Sequence, residues 1–169
     1  MTSCVDANLL HDLVNGRSVT GVLHLLNQTP IDWFSKLQST AETATFGSEF
    51  VATRTCTEQI IELRLVLRCL GVPIRDSSIV FGDNEAVVNA ATNPDGKLSK
   101  RHVILSYHRT REAIAAGITK CFHIPSEQNP ADMLSKHWDM PSAWDSLQPR
   151  LFWHGDTAAV KGKAVADGD

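Results

Sequence analysis

Apolar positions change their spacing several times along the chain, and each change marks an element. Residues 18–26, SVTGVLHLL, and 30–36, PIDWFSK, are short runs rich in β-branched and aromatic residues, with the polar NQTP between them. That pattern predicts a hairpin of two strands. The preceding CVDANLL, 4–10, reads as a shorter strand. From Ala41 the period becomes helical, with Phe46, Phe50, Ile60, Leu63, Leu67 and Leu70 on one stripe. One helix or two in line would both fit. Gly71 and Pro73 end the segment, Gly as a left-handed cap and Pro as a stop.

A buried strand is expected at 78–82, then a helix from about Glu85 to Ala91 and a turn at NPDG, 93–96. Residues 99–116 read as a further helix closed by Gly117. ITKCFHI, 118–124, reads as a strand that Pro125 ends. Asn129 and Pro130 suit the N-cap and first turn of a last helix. Three strands, a helix, then strand–helix alternation predict an α/β protein, a mixed sheet with helices packed on it. The pattern weakens beyond about Pro141. Residues 1–140 are expected to form the domain, and 141–169, ending DTAAVKGKAVADGD, a partly disordered extension.

Composition narrows the functional classes. A net charge of −3 gives no global basic field for nucleic acid, so any such binding must come from a local patch. No apolar run reaches the length of a membrane span, and MTSCVDANLLHD lacks the pattern of a signal peptide. An intracellular protein, cytoplasmic or nuclear, without a membrane partner is expected. Cys4, Cys56, Cys69 and Cys121 form no C-x-x-C pair and have no histidine at ligand spacing. They read as reduced, mostly buried thiols and not as a zinc site.

The chemistry lies in acids at element junctions: Asp6 in the first strand, Glu49 early in the long helix, Asp83 ending the fourth strand, and Asp132 opening the last helix. Each alone has an ordinary reading. Asp6 suits a turn or edge, with Asp12 as its nearest competitor. Glu49 and Asp132 suit the positive end of a helix dipole, and Asp83 suits an N-cap. Together they point elsewhere. If the first and fourth strands are neighbours, these positions converge. Clustered carboxylates repel and need cations. Mg²⁺ prefers oxygen ligands and keeps open positions for phosphate. Two such ions roughly 3.5–4 Å apart can clamp an in-line displacement at phosphorus.

The ordered set VDANLLHD (5–12), WFSKLQ…ETATFGSEFVA (33–52), FGDNEAVV (81–88), SKRHVILSYHRTREAI (99–114) and NPADMLSKHW (129–138) resembles the ribonuclease H domain of Ty1/copia-type retrotransposon polyproteins. The resemblance implies a ribonuclease H-like fold, a five-stranded mixed sheet flanked by helices, over about 5–138. It implies Mg²⁺-dependent hydrolysis of the RNA strand of RNA–DNA hybrids by two ions, with Mn²⁺ as a substitute. Its metal-binding set of acids maps onto Asp6, Glu49, Asp83 and Asp132. It also implies a reverse transcriptase domain upstream. Met1 stands five residues before Asp6, so the first strand is expected to be short. A catalytically weak or inactive remnant that at most binds nucleic acid is the alternative. A junction resolvase of the same fold is a further rival.

Residues 97–111 carry Lys97, Lys100, Arg101, His102, His108, Arg109 and Arg111. They fit a solvated helix face or a phosphate-binding edge that reads backbone and 2′-OH groups. Lys100, Arg101 and His102 are the candidate nucleic-acid contacts there, with Ser48 and Asn84 beside the acids. Trp33, Trp138, Trp144 and Trp153 are expected to pack, since no aromatic series recurs. His123 precedes the last acid on a strand and is given no catalytic role.

Overall fold

The computed structural model describes residues 1–96 and 103–136. The chain divides into two compact units, Met1–Trp138 and Asp139–Asp169, and only the first contains described residues. The expected extension 141–169, with Trp144 and Trp153, lies outside them, as do Trp138 and the start of the helix expected from 99.

Three strands come first: β1 (Thr2–Asp12), β2 (Arg17–Leu26) and β3 (Thr29–Ala41). They form an antiparallel meander. Asn27 and Gln28 both have positive φ, 48° and 68°, with Leu26 paired to Thr29. Two such residues make the turn whose twist matches a hairpin. Asp12 makes the other turn. Asp12 is the last residue of β1, and its carboxylate accepts from the backbone N–H of Val14 and Asn15, which accounts for it as a turn former.

The helix α1 (Thr45–Cys69) crosses to β4 (Ser78–Gly82), and α2 (Glu85–Thr92) and α3 (Ile104–Ala115) lead to β5 (Thr119–His123). A 3₁₀ turn at Ser126–Gln128 precedes the short α4 (Asp132–Ser135). The five strands lie in the order β3-β2-β1-β4-β5, with β4 parallel to both β1 and β5. The mixed sheet is therefore the expected one, and β1 and β4 are central neighbours.

Several boundaries differ from expectation. β1 is eleven residues long and is not a short strand. Thr2–Val5 pair on both sides, with β2 and with β4, and the Ile79 N–H donates to the Met1 carbonyl at 3.0 Å. β3 runs to Ala41 because β2 continues beside it, Arg17 opposite Ala41. The helix expected from Ala41 therefore starts at Thr45. Trp33 does not pack: it is 67 % exposed on the edge strand β3.

One core lies between the sheet and α1, built from Val5, Ala7, Val22, Ala52, Cys56, Ile60, Val80 and Cys121. Apolar burial of this kind stabilises by about 25 cal/mol per Å². A second cluster, Phe50, Val87, Ala91 and Tyr107, joins α1 to α2 and α3. The last turns of α1 pass beyond the core, leaving Leu65 and Val66 exposed. All four cysteines are free thiols, and Cys69 alone is exposed.

Candidate metal centre

β1 and β4 run parallel with Val5 opposite Gly82, so the next residues in each strand direction are Asp6 and Asp83. Ligand sites gather at the carboxyl ends of parallel strands, where side chains and following helices face open space. Asp83 was a candidate cap for α2. The cap is Asn84 instead, whose side chain accepts from the Val87 N–H at 3.2 Å. Asp83 is thereby left to the site, and its Oδ2 accepts from the Ser126 hydroxyl at 2.6 Å.

The third acid arrives on α4 through a row of residues across the sheet. Asp6 is opposite Gly21 on β2, and Gly21 is opposite Ser35 on β3. α4 lies over that row. The Ser135 hydroxyl donates to Asp6 Oδ2, and the Ser35 hydroxyl donates to the Leu134 carbonyl at 2.5 Å. Between them the α4 backbone rests on Gly21, where an added Cβ would stand 2.6 Å from the Ala131 carbonyl oxygen and 2.9 Å from the Ser135 nitrogen. Asn129 is not the N-cap expected. It is buried before the helix, its amide donating to the Val5 carbonyl at 2.9 Å and accepting from the Ala131 N–H.

The result is a cluster. Asp6, Asp83 and Asp132 each bring a carboxylate oxygen within 4.8 Å of the others. Glu49, on α1, lines the same cleft outside that trio. Its carboxylate accepts from the Ala7 N–H and feels the charges of Asp6 and Asp83. Burial, then those neighbouring charges, holds Glu49 well above the ordinary carboxylate range. Burial likewise pushes Asp6 up to about 6; the Ser135 hydrogen bond opposes this, and the charges of Asp132 and Asp83 add to it. Lys136 partly offsets the excess charge, its Nζ 2.7 Å from Asp132 Oδ2. Burial opposes the Lys136 charge, but Asp132 and Asp6 outweigh it and hold its pKa above the ordinary value. An all-oxygen donor set with uncompensated negative charge fits a hard divalent cation.

The chain is 30 % identical over 131 residues, 78 % of its length, to the "Retrovirus-related Pol polyprotein from transposon TNT 1-94" of Nicotiana tabacum. The solved structure of LC11-RNase H1 in complex with RNA/DNA hybrid superposes with a TM-score of 0.61 at 16 % identity, covering 79 % of this chain and 92 % of that one. Homologues of this chain are the Pol polyproteins of copia-type transposons, and its fold is that of ribonuclease H. The foamy viral protease-reverse transcriptase in complex with RNA/DNA hybrid contains the same fold, with a TM-score of 0.59 at 11 % identity over 79 % of this chain and 19 % of that one. The chain spans about a tenth of the length of the curated relatives it matches. No family model matches it.

Other candidates in this domain fall differently. Ser48 is fully buried, and its hydroxyl donates to the Thr45 carbonyl at 2.9 Å, so it serves the start of α1 and not a nucleic-acid face. Asn84 lines the cleft and caps α2 together. Arg111 is structural: it donates to the Ala90, Asn93 and Pro94 carbonyls and lies over the Tyr107 ring. Arg109 pairs with Glu112 on the same helix. Lys97, Lys100, Arg101 and His102 lie outside the described residues. Sequence reasoning missed Ser126, Ser135 and Lys136, which touch the acids directly.

The raised Asp6 makes a prediction about stability. A carboxyl whose folded pKa, about 6, exceeds its ordinary value of 3.8 holds its proton better in the folded chain. Stability from this group is then full at low pH and is lost as pH rises from about 4 through 6. The shift corresponds to about 3 kcal/mol. His24, buried and lowered by that burial, acts with the opposite sign, and Glu49, raised partly by the charge of Asp6, acts with the same sign, so a difference between variants cancels His24 and reads Asp6 together with its effect on Glu49. Without divalent ions, Asp6→Asn should match the parent below pH 4 and exceed it by about 3 kcal/mol at pH 8. Equal unfolding midpoints at pH 8 would show that Asp6 is not held at a cost.

Proposed function

We propose that this domain hydrolyses the RNA strand of RNA–DNA hybrids, using two Mg²⁺ ions, with Mn²⁺ as substitute, held by Asp6, Glu49, Asp83 and Asp132. The observation that carries the reading is the approach of three carboxylates to within 4.8 Å at the open end of a ribonuclease H sheet. When bound, such ions supply Lewis acidity and an activated water for in-line attack at phosphorus. The protein's part is placement. Asp6 and Asp83 come from adjacent parallel strands, and Asp132 is brought over them by α4. Ser126 and Ser135 orient two of the carboxylates, and Lys136 holds the third.

Among the residues lining the cleft, Asn8, Thr45 and Asn84 offer neutral hydrogen-bonding groups. These suit phosphate, sugar and 2′-OH contacts, which distinguish a hybrid by shape and not by sequence. A reverse transcriptase domain in the same polyprotein is the proposed partner and a source of further backbone contacts, since this chain has a net charge of −3. Among the described residues no helix is long and apolar enough to cross a membrane.

The test is cleavage of a labelled RNA strand paired to DNA, beside single-stranded RNA, duplex RNA and branched DNA. Hybrid alone should be cut, with Mg²⁺ or Mn²⁺, and chelation should abolish the activity. Cutting of branched DNA but not hybrid would replace this reading with a junction resolvase. Turnover that survives chelation would remove the metals from it.

A further inference from the structure

We propose that Ser135 is a positioning residue that sets which divalent ion the site prefers, an inference that rests on the metal-site reading above. Asp6 is 2 % exposed and Ser135 1 % exposed, so the contact between them is shielded from bulk solvent. The Ser135 hydroxyl has one hydrogen and donates it to Asp6 Oδ2. Its other acceptor, the Asp132 carbonyl, is at the longer distance of 3.2 Å. The terminal torsion of an aspartate is broad and roughly two-fold, so the carboxylate plane needs an external partner to fix it. Ser135 is that partner, and it is itself held by the seating of α4 on Gly21.

The consequence is for coordination. With one oxygen engaged by a neutral donor, Asp6 presents mainly its other oxygen to a cation. Mg²⁺ requires near-ideal octahedral geometry with single oxygens, whereas Ca²⁺ accepts bidentate carboxylates in a looser shell. Hydrogen bonds to ligating carboxylates commonly change metal affinity by about 10–100-fold. Removing the hydroxyl frees Asp6 to rotate and to chelate with both oxygens. That harms Mg²⁺ and leaves Ca²⁺ little affected.

The experiment is calorimetric titration of the substrate-free chain with Mg²⁺ and separately with Ca²⁺. Ser135→Ala and the nearly isosteric Ser135→Cys should weaken Mg²⁺ binding about 10-fold and change Ca²⁺ binding less than about 3-fold. Ser135→Thr, which keeps the hydroxyl, should restore the parent preference. Ser35→Ala removes another tether of α4 without touching Asp6, and should lower the unfolding midpoint while keeping the Mg²⁺-to-Ca²⁺ ratio. If Ser135→Ala keeps the parent ratio and behaves like Ser35→Ala, the hydroxyl is only a tether and the proposal fails. If the parent chain itself binds neither ion, the metal-site reading falls first and takes this inference with it.

Discussion

Asp83→Asn should lower hybrid cleavage by about 10³-fold while leaving the folded chain as stable as the parent, or slightly more so. The size follows from what one carboxylate does in such a site. Charge stabilisation at a transferring phosphoryl group is worth several kcal/mol, and each 1.36 kcal/mol is tenfold in rate. The fold should be spared for a structural reason. Asp83 caps no helix, because Asn84 does that. An asparagine oxygen at 83 can still accept from the Ser126 hydroxyl, now at 2.6 Å from Oδ2. Removing one of three clustered negative charges also relieves repulsion on Asp6 and Glu49, each of which feels Asp83. Two measurements decide it: single-turnover cleavage under saturating Mg²⁺, and the unfolding midpoint without it. Parent-like cleavage by the variant would remove Asp83 from the chemistry. A collapsed midpoint would make it a structural acid.

Much of this architecture is legible in the chain, and the reasons are specific. The carboxylate after Ile79-Val80-Phe81-Gly82 could be placed because a short apolar run that stops before a helical pattern is a buried strand, and its end is an open edge. Asp6 could be paired with it because the two strands were expected to be central neighbours, although β1 continues past Asp6 to Asp12. The length of β3 was not legible. SKLQSTA has no clear period, and only the continuation of β2 beside it keeps it extended. The cap of α2 was left open between two adjacent residues that both favour that position, Asp83 and Asn84, and the structure gives it to Asn84. Trp33 looked like a core residue by chemistry, yet β3 is an edge strand and that position faces out. Ser135 lay within a recognised motif without a role because its partner, Asp6, is on a distant strand, whereas Lys136, four residues after Asp132, could have been paired with it from the expected helix. The best unused signal was Gly21, a glycine inside the apolar run SVTGVLHLL. A glycine in a strand interior often marks the close approach of another backbone.

That glycine carries the second large prediction. Gly21→Ala adds one carbon, and that carbon would meet backbone, not a side chain that can turn away. The Ala131 carbonyl oxygen would be 2.6 Å off, the Ser135 nitrogen 2.9 Å and the Leu134 carbonyl carbon 3.0 Å. Ordinary contact begins near 3.4 Å, so α4 must lift by most of an ångström. Overpacking of this kind typically destabilises by about 1–3 kcal/mol. For a chain of this size that lowers the unfolding midpoint by about 2–10 °C. The effect on chemistry should be larger than the effect on stability. α4 carries Asp132 into the trio and Ser135 onto Asp6, so both move together. A misplacement of about 1 Å can reduce a rate about 10²-fold. Gly21→Ala should therefore lose about 10²-fold in hybrid cleavage and weaken Mg²⁺ binding, well below the temperature at which it unfolds. Ser35→Ala and Asn129→Ala, which loosen the same helix without lifting it, should lose stability with a smaller loss of rate. Gly21→Ala cleavage at the parent rate would mean that α4 relaxes without moving Asp132. The row Asp6–Gly21–Ser35 would then be a packing solution and not the device that aligns the site.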